Sequence, residues 1–378
     1  MISYKYKLYN SKRNKHLSAL LRDASFVWNH CLALQKRYYR MFGKFINANR
    51  LKTYFAKRYK MCRLHSQTVQ EVIERLDTAY KRFFDHIAKR PPKFKRAKDF
   101  ASIVFKQGGY KIEDNRLTVN KIEKTFKFFL SRPYDGAIKR LVIKRDTIGD
   151  FYIVLVLDRP VNTIGKTHEG ASVGVDFGLK TYMTLSDGSC VDNPRFLRND
   201  LRRLRKASRR LSLAKKGSHN RERRRKEFDR IHRAIRNRRS DYQWKLAHEL
   251  CKRYDTICLE DLNLSGMTRM WGQKMNDLAH AEFVTKLEYV ATKYGVIIHK
   301  IGRYFPSSKL CSCGHVNKLL KLSDRSWVCP CCGEVHDRDL WASQNILRQG
   351  IAELESGSKT SKAKRGSSRV RIQESHCL

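Results

Sequence analysis

Eleven cysteines, five of them between residues 311 and 332, are the first residues in this 378-residue chain whose spacing points to chemistry. The other six (Cys31, Cys62, Cys190, Cys251, Cys258 and Cys377) are scattered through apolar or basic sequence. Clustering at short spacing in a long, basic chain favours a metal over a disulfide framework and implies a reducing, cytoplasmic setting. In "CPCCG", Cys329 and Cys332 form one CxxC knuckle, with Pro330 and Gly333 suited to its tight turn and Cys331 spare. The other arm is "CSCG", where Cys311 and Cys313 are one residue apart, and 15 residues separate Cys313 from Cys329. Zinc takes four N or S ligands in a tetrahedron. The expected set is Cys311, Cys313, Cys329 and Cys332. A set with His315 or Cys331 in place of one sulfur, or no metal, is the alternative. Four protein ligands leave no open position, so the role is structural.

Three acids stand out from basic surroundings. Asp176 follows the apolar run "SVGV", Glu260 follows "TICL", and Asp339 precedes a helix beginning at 340. Taken singly, each has an ordinary role as a strand-end residue or, for Asp339, a helix N-cap. Together they suit phosphodiester hydrolysis, in which clustered carboxylates hold two hard divalent cations, here Mg2+. The stretch "CPCCGEVHDRD" (329–339) then contains two sites end to end, a zinc knuckle and the last acid of a magnesium site. His336 and Asp337 are expected to shape the join and to bind neither metal.

These residues need rigid elements. Residues 2–9 alternate like a strand, and apolar residues recur at helical spacing through Leu17, Leu20, Leu21, Phe26, Val27 and Leu34. A second helix over 66–90 places Val69, Val72, Ile73, Leu76, Tyr80 and Phe83 on one face before "RPPKFKR" breaks it. Residues 102–158 turn to strand-like runs separated by "GG", "YDG" and "IGD". Further on, "SVGVDFGLKTYMTL" reads as strand, turn and strand, "YDTICLEDL" as a buried strand, "AEFVTKLEYVATKYG" as an amphipathic helix and "VIIHKI" as another strand. The fold class is α/β plus β. A small β-barrel-like module (1–10 and 91–165) carries a helical insertion (11–90). A second α/β domain (170–304 and 336–354) carries the cysteine-rich insertion (305–335), and a polar tail (355–378) is expected to be disordered.

Charge narrows the partner. Eighty Lys and Arg against 36 Asp and Glu give a formal net charge of +44. Such a surplus repels itself unless a polyanion neutralises it, and nucleic acid is the natural one. Residues 201–239 hold 18 Lys/Arg against three acids, helical on both sides of "KKGSHN". From this block Arg202, Arg203, Arg209, Arg210, Arg223 and Arg224 are expected to contact phosphates. No apolar run reaches membrane-spanning length, and "MISYKYKLYN" lacks a signal-peptide core.

The order of the acids resembles the RuvC branch of the RNase H-like fold. "VGVDFGLKTYMTLSDG", "ICLEDLNLSGM", "FPSSKLCSCGH", "WVCPCCGEVHDRD" and "ASQNI" together resemble the transposon-associated TnpB/OrfB family, relatives of type V CRISPR effectors. "FVWNHCLALQ" and "RPPKFKRAKDFASIVF" resemble its N-terminal segments. The resemblance implies an RNA-guided DNA endonuclease of an insertion sequence. Its guide RNA comes from the transposon end and pairs with double-stranded target DNA beside a transposon-adjacent motif. Asp176, Glu260 and Asp339 carry over as the catalytic acids. Their presence argues against a non-cleaving RNA-guided regulator, and the family likeness argues against a strand-transferring transposase.

The β module with its helical insertion resembles the family's wedge and recognition parts. Gln67 and Gln70 become candidates for reading adenine edges, and Lys93, Lys95 and Arg96 for further contacts. Trp271, Lys274 and Asp277 resemble a segment that covers the nuclease site in relatives. Departures from the pattern are the one-residue-short "CSC" arm, Trp341 where Asn is common, and Val290 where Lys is common. Trp341, two residues past Asp339, is expected to threaten activity by its bulk.

Overall fold

The alternating residues of "ISYKYK" form β1 (Ile2–Lys7), which bonds antiparallel to β7 (Phe151–Leu157) and buries Ile2 and Tyr6. In this computed structural model the described residues are all except 59–62, 161–162, 166–169, 262–277, 322, 358–372 and 375–378. They fall into two compact units that divide after Pro160.

In the first unit, three helices precede most of the strands. They are α1 (Asn14–Phe42), α2 (Ala48–Arg58) and α3 (Ser66–Phe84). The short α2 is absent from the sequence reading, because only Leu51 and Phe55 mark its apolar face. Next come β2 (Ser102–Phe105), β3 (Tyr110–Glu113), β4 (Arg116–Val119), β5 (Lys124–Lys127) and β6 (Ile138–Arg145). One sheet has the order β1-β7-β6-β2, and a second has β3-β4-β5. A single bridge, Leu8 to Phe128, links them. The β-barrel-like module expected here is built from these two sheets on a shared core, which also takes in Leu17, Leu20 and Trp28 of α1 and Val72 and Leu76 of α3.

The second unit is built on a five-stranded sheet. Its strands are β8 (Ser172–Asp176), β9 (Thr181–Leu185), β10 (Cys190–Asp192), β11 (Thr256–Glu260) and β12 (Ile297–Ile301). The order is β10-β9-β8-β11-β12, with β8, β11 and β12 parallel and β9 and β10 antiparallel. Two long helices, α4 (Phe196–Leu213) and α5 (His219–Arg253), lie between β10 and β11 in sequence. The first half of α5 is basic. Its second half buries Trp244, Leu246, Ala247 and Leu250 in a core shared with Phe283, Leu287 and Val290 of α6 (His280–Tyr294). The short hairpin β13 (Ser326–Val328) and β14 (Val335–Asp337) leads directly into α7 (Arg338–Glu355).

Two glycines let α7 seat on the sheet. A Cβ at Gly174 in β8 would lie 2.1 Å from the Ser343 carbonyl oxygen, and one at Gly350 would lie 2.3 Å from the Cys258 sulfur. Only hydrogen fits at either place. Within the tail expected to be disordered from 355, Glu355 still belongs to α7 and β15 (Gln373–Glu374) pairs parallel with β1. Among the described residues no helix is long and apolar enough to cross a membrane.

Candidate functional site

Asp176 ends β8 and Glu260 ends β11, the neighbouring parallel strand, where Val175 lies opposite Leu259. Both apolar strands finish at the same edge of the sheet, so the two carboxylates emerge side by side. Asp339 enters from above, in the first turn of α7. All three are half-buried, shielded by protein yet open to a ligand. Burial, reinforced by the nearby charges of Glu260 and Asp339, pushes the Asp176 carboxyl up to about 7. Burial also raises Glu260, against a hydrogen bond from Ser307. A bound cation would relieve this mutual repulsion.

Hydrogen bonds set the orientation of two of the acids. Ser307 Oγ donates to Glu260 Oε1. Ser307 is itself held by the buried Asn345 of α7, whose Nδ2 donates at 2.8 Å to both the Ser307 and Leu310 carbonyls. Arg325 Nη1 donates to Asp339 Oδ2 at 2.9 Å. Asp337, not Asp339, caps α7, accepting from the Asp339 and Leu340 amides at 3.1 and 3.0 Å. The cap frees Asp339 for another role. Among the described residues, both clusters whose ligand atoms all lie within 4.8 Å of one another are at the cysteines, so the three acids as they stand are looser than that. Sequence spacing carries no signal for Ser307, Asn345 or Arg325, because their partners lie 14 to 47 residues away.

At the cysteines, Cys311, Cys313, Cys329 and Cys332 converge despite the short "CSC" arm. Cys311 and Cys332 sulfurs are 3.4 Å apart, and Cys313 and Cys329 sulfurs 3.7 Å. A zinc tetrahedron with bonds near 2.3 Å has sulfur–sulfur edges of about 3.8 Å, so the donor set fits. Cys331 is exposed and stands outside the cluster, as does His315.

His336 does more than shape the join. It is buried, stacks on Trp341 with ring centres 4.1 Å apart, and brings Nε2 to 3.1 Å from the Cys311 sulfur. With Glu334 and Cys311 it forms a second cluster of possible ligands. Trp341, expected to crowd the acids, instead faces the cysteines and donates from Nε1 to the Leu310 carbonyl at 2.6 Å. Two positions on a helix are about 200° apart, so Trp341 and Asp339 point different ways. Val290 is fully buried in the α6 core, where a lysine would lack water.

The nucleic-acid candidates divide. Arg202, Arg203, Arg209, Arg210 and Arg223 are exposed on α4 and α5, while Arg224 is half-buried and paired with Glu227 at 3.1 Å. In the first unit, Gln67 Oε1 already accepts from the Gln107 and Gly108 amides, which spends the acceptor that bidentate adenine reading needs. Gln70 is exposed. Lys93 is exposed, and Arg96 pairs with Asp99 at 2.6 Å. Lys95 is half-buried with its ammonium 4.0 Å from the centre of the Trp28 ring, and burial lowers its pKa. Trp271, Lys274 and Asp277 lie outside the described residues.

The fold is that of Cas12f-type effectors. The chain superposes on a solved Cas12f1–sgRNA–target DNA complex with a TM-score of 0.56 at 14% identity, covering 90% of this chain and 83% of that one. Residues 156–270 match the OrfB_IS605 family, described as "Probable transposase", and residues 280–346 match the Cas12f1-like TNB domain. A Streptomyces pristinaespiralis protein provisionally named an RNA-guided DNA endonuclease is 35% identical over 292 residues, 76% of this chain and 72% of that protein. The provisionally named RNA-guided DNA endonuclease InsQ of Escherichia coli K12 is 25% identical over 357 residues, 88% of each. The chain belongs to the TnpB family.

Proposed function

We propose that this chain is an RNA-guided DNA endonuclease that cuts double-stranded target DNA at the Asp176–Glu260–Asp339 centre. The observation that carries the reading is the meeting of three half-buried carboxylates on two neighbouring strand ends and a helix start, in a chain of net charge +44. The names of the relatives agree with it. The strand order β10-β9-β8-β11-β12 supports a RuvC-type, RNase H-like domain (170–304 and 336–354). The sulfur spacing supports a zinc ribbon (305–335). By the same resemblance, 1–10 and 91–165 form the wedge and 11–90 the recognition insertion. The work would be done in the cytoplasm.

The residues divide the labour by position. Asp176 and Glu260 offer oxygens from rigid strand ends, and Ser307 holds one oxygen of Glu260 so that the other faces the site. The Arg325 ion pair engages only Oδ2 of Asp339, leaving Oδ1. Magnesium, when bound there, supplies water activation and neutralises charge on the leaving oxygen. Exposed arginines on α4 and α5 hold phosphates without reading bases, which suits a protein whose sequence information comes from a guide. Zinc at the cysteines would brace the hairpin whose last strand runs into α7 and Asp339.

Sequencing the RNA that copurifies with the chain tests the proposal. A single discrete species, whose removal by ribonuclease ends sequence-specific cutting, is expected. Specific cutting that survives ribonuclease treatment before assembly would refute it.

A further inference from the structure

Two stretches outside the acidic and cysteine sites alternate cations with rings, "QKRYYRMFGKF" (35–45) at the end of α1 and "YKRFFDHIAKR" (80–90) at the end of α3. Together they hold eight Lys/Arg, seven aromatic residues and one acid, Asp85. Gly43, with φ of 62°, ends α1 in a left-handed turn and donates to the Tyr39 carbonyl. The turn brings Phe45 against Tyr39, Tyr80 and Phe84, with ring centres 4.7, 5.1 and 5.0 Å apart. Tyr38 and Phe42 pair at 4.7 Å beside them. The rings nevertheless face solvent, since Tyr39, Phe42 and Phe84 are 50%, 56% and 49% exposed.

We propose that this tip is a stacking platform for single-stranded nucleic acid. A contiguous exposed apolar patch needs an occupant. Four of the cations around it, Arg37, Arg40, Lys44 and Arg82, pair with no carboxylate among the described residues, while Lys81 pairs with Asp77 at 3.0 Å. Elsewhere in the same unit exposed cations find partners, as in Arg63–Asp23 and Lys139–Asp158. A second copy of the chain would bring two such cationic surfaces together, which is repulsive. In a duplex the bases already stack on each other, so their faces are closed to a side chain. Unpaired bases stack on exposed rings while arginine and lysine hold the phosphates. The inference is independent of the nuclease reading, because the tip shares no residue with the acidic centre.

The test uses full-length protein freed of RNA, 12-nucleotide oligo(dT) and oligo(U) carrying a halogenated photoreactive base, and excess duplex DNA to occupy general basic sites. Crosslinks mapped by peptide mass spectrometry are expected within 35–45 and 80–90. The tighter-binding oligonucleotide names DNA or RNA as the source of the strand. Phe42→Ala and Phe84→Ala should each weaken binding on the order of tenfold by anisotropy. Phe42→Trp should restore it, whereas Phe42→Leu, apolar but without a ring face, should not. Crosslinks confined to other segments, or wild-type binding by Phe42→Leu, would overturn the proposal. So would self-association lost in Phe42→Ala, or binding to phosphatidylserine vesicles lost in the same variant.

Discussion

Replacing Gly174 with alanine should separate catalysis from folding. The added Cβ would sit 2.1 Å from the Ser343 carbonyl oxygen and 2.7 Å from the Leu347 amide nitrogen, both backbone atoms of α7 that no rotamer change can move. Restoring an ordinary contact requires α7 to retreat from β8 by about 1.3 Å. Overpacking of this kind costs about 1–3 kcal/mol, which lowers the melting temperature of a unit of this size by about 2–12 °C. The same shift carries Asp339 away from Asp176, and a misplacement of about 1 Å can cost on the order of 100-fold in rate. Cleavage by the assembled Gly174→Ala protein should therefore fall about 100-fold at a temperature where the protein remains folded. Gly350→Ala is the control. Its Cβ meets the Cys258 side chain at the far end of α7, so stability should fall with a smaller loss of activity. Wild-type cutting and melting in Gly174→Ala would refute the seating of α7 on β8. Equal activity losses in both variants would show that folding alone is being read.

Other consequences follow from single contacts. Ser307→Ala removes the donor to Glu260, a charge-assisted bond worth about 1.5–3 kcal/mol. It should raise the metal concentration needed for half-maximal cutting at least tenfold, alongside a melting loss of about 3–12 °C for that bond, and an unchanged metal requirement would contradict that role. In metal-free protein Asp176 is raised from 3.8 to about 7, so the native state binds the extra proton between those values. Stability should then fall as pH rises from about 4 to 7, with a shallower slope in Asp176→Asn, measured by melting in chelator. Melting curves of equal slope for the two proteins would count against this. Cys332→Ser should lose zinc, measured by metal analysis, while Cys331→Ser should keep one zinc per chain. Trp341→Asn should loosen the cysteine-rich segment and speed zinc release to a chelator; unchanged release would show that the His336 stack and Leu310 bond do not brace it.

What the sequence made legible followed chain-local patterns. An acid closing an apolar strand marked Asp176 and Glu260, and the dense arginines of 201–239 marked α4 and α5. Cysteine spacing identified the four converging sulfurs, although the short arm gave no assurance that Cys313 would reach them. Contacts made across long separations stayed hidden. Ser307 meets Glu260 from 47 residues away, and Asn345 joins that node from α7. Trp341 was misjudged because nearness in sequence to Asp339 is not nearness in direction on a helix. The aromatic tip was missed because each half looks like an ordinary helix end until Phe45 reaches Phe84. Strand alternation marks each strand of the first unit but carries no signal for how its two sheets join, which in the structure is through the Leu8–Phe128 bridge.

The most direct measurement is plasmid cleavage by the purified ribonucleoprotein alongside Asp176→Ala, Glu260→Ala and Asp339→Ala, with bound RNA quantified in each. Guide-dependent cutting by the wild type is expected. All three variants should lose cutting, each with wild-type RNA content. Undiminished cutting by any one of them would contradict the three-carboxylate centre.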